Sequence, residues 1–309
     1  MDEMTLNILG CGSASPTLRH NPSAQVIDYR GSLYMIDCGE GAQRQMMIQG
    51  LSLHRVKHIF LSHLHGDHCL GLVPMLSTMA LHDKGGTVTI HTFAEGEKIF
   101  RQMINFFCGP ADFDIKFNII DPGKPQMLLE TRGLTVESFP LYHRVDCVGF
   151  IFREKEKPRH LRADMLDFHK VPVSCRKEIA AGADFVDAEG RVIPNGWLTT
   201  PPTPSVSYAY CSDTSFNPRV AEAVKGVDLL YHEATYTDEK ADKAAPRGHS
   251  TAHEAARIAR MAQTGQLVIG HYSKSTDMED AAREARGIFP NTIAANEGMK
   301  ITVKPNTKS

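Results

Sequence analysis

A chain of 309 residues with 42% hydrophobic content can bury a substantial core, and its formal charge of −2 gives no global signal for a nucleic-acid partner. It shows neither a basic segment leading into an apolar run and a cleavage site nor 18 apolar residues in a row, so the reading is a cytoplasmic protein that does not span a membrane. The seven cysteines, at 11, 38, 69, 108, 147, 175 and 211, are odd in number and form no CxxC pair, which argues against a disulfide framework or a cysteine zinc knuckle.

In chain order, β-type runs recur as TLNILGCG, AQVIDY, SLYMIDCG, HIFLSH, TVTIHT, LTVESFPL, CVGFIF, SVSYAYCS, DLLYHEA, QLVIGHY and MKITV. Helical spacing fills several gaps, in GAQRQMMIQG, EGEKIFRQMINFF and TAHEAARIARMAQTG, so the fold class is α/β. The last helix carries a capping-box pattern in Thr251 and Glu254, an apolar face of Ala255, Ile258, Ala259 and Ala262, and a stop at Gly265. Residues 153 to 204 break the rhythm and read as an insertion. Their first half, 153 to 178, holds eight Lys/Arg against five Asp/Glu, a balance compatible with gripping an anionic polymer or simply with a solvated loop.

Several strands end in Asp, His or Glu just past the apolar run, which is where open α/β sheets gather their chemistry. The densest case is HIFLSHLHGDHCLG, with His63, His65, Asp67 and His68 inside six positions. On an unbroken strand these side chains cannot converge, and Gly66 offers the sharp turn they need. Imidazole and carboxylate suit zinc, and so many polar groups would be costly to bury without a partner. Two ions need further ligands, for which His143, Asp213 and His271 stand at later strand ends. One ion would take His63, His65 and His143, the other Asp67, His68 and His271, with Asp213 bridging. His249 precedes the capped helix, whose free N–H groups favour a phosphate oxygen, and can act as a proton donor held by Glu233.

These motifs resemble a known family. SHLHGDH is similar to the signature of the metallo-β-lactamase fold. The ordered set ILGCGSASPTLRHNPSAQ, MIDCGEGAQRQ, FLSHLHGDHCLGL, HRVDCVGF, YCSDTSF, HEATY, GHSTAHEAA and IGHYS resembles ribonuclease Z, the tRNA 3′-processing endonuclease. The resemblance implies a four-layer αββα sandwich spanning residues 1 to 309 as one domain, two zinc ions per subunit and a homodimer. It further implies that the 153–204 insertion is an arm holding precursor tRNA, with Asp67 as general base and Glu233 with His249 as the proton-donating pair. Substrate contacts are expected from Arg19, His20 and Asn21 near the amino terminus, and from Arg159, Arg162, Arg176 and Lys177 in the arm. Family members often carry a Pro-x-Lys-x-Arg-Asn loop that senses the tRNA 3′ end; here PTLRHN has Leu18 and His20 at the Lys and Arg positions.

Two other readings stay open: a hydrolase of small phosphodiesters or (thio)esters on the same scaffold, and a noncatalytic nucleic-acid-binding module with a structural metal. GCGSAS lacks the spacing of a nucleotide loop and reads as a tight turn beside the site. Trp197, the Met-rich QMMIQG segment and Cys38, Cys69 and Cys211 read as core or packing residues.

Overall fold

The computed structural model describes residues 3–82, 85–108 and 113–306. In the first half, β1 (Thr5–Gly10), β2 (Ala24–Tyr29), β3 (Ser32–Ile36), β4 (Val56–Phe60), β5 (Thr87–Thr92) and β6 (Asp114–Ile119) lie side by side in that order. The first three pair antiparallel and β3 to β6 run parallel. A second sheet comprises β7 (Gln126–Glu130), β8 (Leu134–Pro140), β9 (Val148–Glu154), β10 (Ser207–Cys211), β11 (Leu229–Glu233), β12 (Gln266–Gly270) and β13 (Thr292–Ala294), again in chain order. Its last four strands are parallel. The chain then returns as β14 (Lys300–Thr302) to pair with β1 and complete a first sheet of seven strands.

Central strands such as SYAYC and LLYHE are buried at every position, as strands covered on both faces must be. Between the sheets, Phe60 meets Phe150 and Phe152 with ring centroids 5.5 and 5.4 Å apart, and the Tyr208 hydroxyl donates to Gln25 Oε1. On the outer side of the first sheet, Leu72, Met75, Leu76, Met79, Phe100 and Ile104 from helices Leu72–Leu81 and Ala94–Phe107 join Leu33, Met35, Ile59 and Ile90 in one apolar cluster. The second sheet is covered by helix Ala252–Ala262, whose buried alanines let it lie close over β11 and β12. Both bonds of the Thr251–Glu254 capping box are present. The helix stops earlier than Gly265, at Ala262, with Gln263 left-handed at φ 55°. Gly265 instead serves a close approach, since a Cβ there would stand 2.5 Å from the Asp228 carbonyl oxygen.

Thr131–Leu134 and Arg153–Ser205 form a second compact unit. It is more than a solvated loop, because Leu166, Val171, Ile179, Ile193 and Leu198 make a small core of their own. Trp197 is not part of that core and is 56% exposed. In the Met-rich segment Met46 is buried while Met47 is 69% exposed, as two consecutive positions on a helix lying against a sheet require. Cys38, Cys69 and Cys211 are buried.

Candidate metal centre

The polar residues that end β11 or follow β3, β4, β8, β10 and β12 meet at one rim of the paired sheets. After Phe60 the chain bends at Ser62, is extended at His65 (φ −65°, ψ 146°) and then winds into the short helix Gly66–Cys69, which swings Asp67 and His68 back toward His63. The turn expected at Gly66 is the opening of this short helix, where a Cβ would stand 2.8 Å from Leu70 Cδ1.

All seven metal-ligand candidates come together. Ligating atoms of His63, His65, His143 and Asp213 lie within 4.8 Å of one another, as do those of Asp67, His68 and His271. In the first group His65 Nδ1 is 3.1 Å from His63 Nε2 and 3.3 Å from His143 Nε2. In the second, His68 Nε2 is 3.2 Å from His271 Nε2. Asp213 reaches from the first group toward the second: Oδ2 is 3.6 Å from His63 Nε2, and Oδ1 is 3.1 Å from His271 Nε2 and 3.4 Å from His68 Nε2.

These residues fit a divalent ion. Nitrogens held about 2.0–2.1 Å from a tetrahedral zinc are about 3.3 Å apart, close to the spacings observed. The opposite ring atoms fix the tautomers. His143 Nδ1 donates to the Gly248 carbonyl at 2.7 Å, and His68 Nδ1 to Asp37 Oδ2 at 2.7 Å. His271 Nδ1 is 2.8 Å from Thr235 Oγ1, whose own proton goes to Glu233 Oε2. Each Nε2 is therefore the ring atom turned toward the centre. Asp213 Oδ1 is buried there without a hydrogen bond, an arrangement that repels unless a cation joins it.

The carboxylates of the centre draw positive charge toward it. Burial opposes charge on His68, yet Asp213 and Asp37 hold its imidazole well above the ordinary value. Burial, and next the charge of His68, push His63 well below it. Burial raises the Asp67 carboxyl, but the imidazoles of His271 and His68, each 3.6 Å away, pull it well below the usual range.

Asp37, in MIDCGE, ends a strand in the same way as its neighbours and is a functional residue that the sequence does not single out. It sits left-handed at φ 54° and accepts the Ser62 amide (2.7 Å), the Ser62 hydroxyl (2.8 Å), the Tyr210 hydroxyl (2.7 Å) and His68 Nδ1. Such backbone is kept only where the surroundings dictate it.

Beside this centre His249 Nδ1 lies 3.0 Å from Glu233 Oε1, with its ring centroid 5.1 Å from that of His143 and 5.5 Å from that of His271. Glu233 is buried and receives the amides of Thr214 and Thr235, both at 3.0 Å. Burial alone would lower the His249 pKa; the Glu233 carboxylate outweighs it and holds it at about 8.

GCGSAS forms a turn in which the Ala14 amide donates to Asp67 Oδ2 at 2.6 Å. Nearby, Arg19 is exposed and 3.9 Å from Asp277, while His20 and Asn21 turn inward onto Glu297. Arg159, Arg162, Arg176 and Lys177 belong to the second unit. Arg159 donates to Thr199 Oγ1, Arg162 and Arg176 pair with Asp164 and Asp167, and Lys177 is exposed.

A family model described as anti-Pycsar protein Apyc1 matches residues 4–155. Among solved structures, human tRNase Z, short form, superposes with a TM-score of 0.71 at 23% identity, covering 97% of this chain and 100% of that one. A metallo-β-lactamase fold protein from Bacillus subtilis gives 0.70 at 17% identity, with 97% and 100% covered. Both share the fold with this chain. Ribonuclease Z of Parabacteroides distasonis is 48% identical over 98% of this chain and all of that protein, and ribonuclease Z of Bacteroides thetaiotaomicron 45% identical over 99% and 98%. Identity of that order along the whole length, on a metallo-β-lactamase fold whose rim gathers histidines and carboxylates suited to a divalent metal, shows that the chain belongs to the ribonuclease Z family.

Proposed function

We infer that this chain is an endoribonuclease that removes 3′ trailers from precursor tRNA by metal-dependent phosphodiester hydrolysis. The observation that carries this reading is the pair of abutting donor groups sharing Asp213, with the His249–Glu233 pair at their edge. His63, His65 and His143 would hold one zinc ion, Asp67, His68 and His271 the second, and Asp213 would bridge. Zinc bound there supplies Lewis acidity toward phosphoryl oxygens and acidifies water.

The protein's own groups do the rest. Asp67, with Oδ2 fixed by the Ala14 amide and its side chain only about one-tenth exposed, takes the proton of the attacking water. His249 spends Nδ1 on Glu233, leaving Nε2 to protonate the departing 3′ oxygen. Cleavage then leaves a 3′-hydroxyl on the tRNA and a 5′-phosphate on the trailer. The amides expected to be free at the start of helix Ala252–Ala262 are spent, Ala252 on the Tyr236 carbonyl and Glu254 on Thr251 Oγ1, so only the helix dipole favours phosphate close to this point.

The wider reading is one metallo-β-lactamase-fold domain, residues 1–309, with residues 153–204 as the tRNA-holding arm, working in the cytoplasm as a homodimer. No helix among the described residues is long and apolar enough to cross a membrane. The decisive experiment is cleavage of a precursor tRNA with the cut mapped, with and without chelator. A single metal-dependent cut at the start of the trailer is expected. Hydrolysis of bis(p-nitrophenyl) phosphate or thioesters alone would point to a small-substrate hydrolase, and tRNA binding without cleavage to a binding module.

A further inference from the structure

A second knot of reactive side chains lies apart from the metal ligands, where Cys11, His20 and Glu297 bring their polar atoms within 4.8 Å of one another. It closes the loop of residues 12–21. The two ends of that loop are tied by the Gly12 amide donating to the Asn21 carbonyl at 2.9 Å. Its early part is fastened beside His271, with the Ser13 amide on the Tyr272 carbonyl (3.0 Å) and the Tyr272 amide on the Cys11 carbonyl (2.9 Å). Its late part has a different anchor. Glu297 Oε1 accepts the Asn21 amide at 2.8 Å, and Oε2 lies 3.0 Å from His20 Nδ1, which is also 3.4 Å from Cys11 Sγ. The side chains of His20 and Glu297 are 15% and 10% exposed, so solvent screens their pairing only weakly.

In the early part of this loop stands Ala14, left-handed at φ 60° although it is not glycine. That backbone is unfavourable by itself and persists only when both flanks dictate it. Its consequence is the 2.6 Å bond from the Ala14 amide to Asp67 Oδ2, which sets the direction of the carboxylate. We propose that Glu297 is a positioning residue for Asp67, acting through the 12–21 loop: by holding Asn21 and His20 it keeps the Ala14 amide aimed at the carboxylate. Glu297 touches neither substrate nor the proposed metal ligands. It acts by keeping a strained turn from relaxing away from Asp67. The inference rests on the reading of Asp67 as the base.

Glu297→Ala and Glu297→Gln separate the hydrogen-bond scaffold from its charge, because glutamine keeps the acceptor for the Asn21 amide and offers an N–H to His20 Nδ1 in its other tautomer, where the carboxylate accepted. Steady-state kinetics on precursor tRNA and on bis(p-nitrophenyl) phosphate, with hydrogen exchange of the peptide covering residues 11–21, read the outcome. A displacement of the base by about 1 Å costs on the order of 100-fold, so Glu297→Ala should lower kcat by about 10- to 100-fold on both substrates, with KM within about twofold and faster exchange in the loop. Glu297→Gln should recover kcat to within about threefold of the parent enzyme, since acceptance of the amide is retained. An unchanged kcat in Glu297→Ala overturns the proposal, as does a raised KM with kcat intact, or an equal loss in both variants. Should Glu297→Ala fail to fold, His20→Ala removes the Oε2 partner alone; the same kcat loss in smaller measure is expected, and none would overturn the idea. Failure of the parent enzyme to cut precursor tRNA would sink the functional reading, whereas full activity in Glu297→Ala beside an active parent sinks only this one.

Discussion

At the rim of the paired sheets, His63, His68, Asp213 and Glu233 are at most 2% exposed and nearly every polar atom has a named partner or faces the donor cluster. In the unit of residues 153–205, Arg162 and Asp164, or Arg176 and Asp167, pair across side chains that are 37–80% exposed, over a core of five buried apolar residues. Pairs of the second kind contribute about 0–1 kcal/mol each and rearrange freely. Buried groups of the first kind cannot rearrange without leaving a charge or lone pair unmet. Rate should therefore depend on the rim and affinity on the inserted unit, and variants in the two regions should separate kcat from KM.

The largest effect belongs to the proposed base. Asp67→Ala should lower kcat on precursor tRNA by about 1,000-fold or more, within the range for loss of a positioned proton acceptor, while tRNA binding measured by filter retention stays close to that of the parent. Binding lost in parallel would break the division. His249→Ala comes next, at about 100-fold on precursor tRNA. On bis(p-nitrophenyl) phosphate, whose leaving phenolate needs no proton, it should be nearly silent, and equal losses on both substrates would remove the acid role. Asp37→Asn follows. With its hold on His68 Nδ1 weakened, metal affinity should fall by about 10- to 100-fold, read by titration against a zinc chelator, and excess zinc should restore most of kcat.

The rim was legible for a local reason: each donor follows an apolar run directly, so His63, Asp213 and His271 announce themselves in HIFLSH, YAYCSD and LVIGH. Asp37 obeys the same rule but stands alone, and a single aspartate after a strand looks like any turn residue until its four donors are seen. Glu297 was out of reach because its partner Asn21 lies 276 positions away in the chain. Helix Leu72–Leu81 was missed since it is apolar over most of its surface and carries Pro74, which hides the helical period. In helix Met278–Ile288 the buried face is Ala281, Ala282 and Ala285, too small a signal against its charges. Strand β6, DIKFNI, has no fully buried position and so lacks the apolar run by which its neighbours were found. Trp197 misled in the opposite direction: its size suggested packing, yet it lies on the surface of a unit too small to cover it.

The smallest expected effect tests the inserted unit at the residue whose charge is least engaged. Arg159 donates to Thr199 Oγ1 at 2.7 Å, and Arg162 and Arg176 face Asp164 and Asp167 at 3.1 and 3.7 Å, so removing any of them disturbs the unit as well as its charge. Lys177 is exposed and pairs with no carboxylate among the described residues, which leaves its ammonium available to a phosphate. A lysine on one phosphate releases about one counterion, so Lys177→Ala should raise KM for precursor tRNA about threefold and flatten the dependence of log KM on log salt by about one. Its kcat should stay at the parent value, and bis(p-nitrophenyl) phosphate should be hydrolysed as before, because that substrate offers no second phosphate to hold. A loss of kcat in this variant would mean that the inserted unit shapes the catalytic rim itself, and the separation of rate from affinity between the two regions would then be wrong.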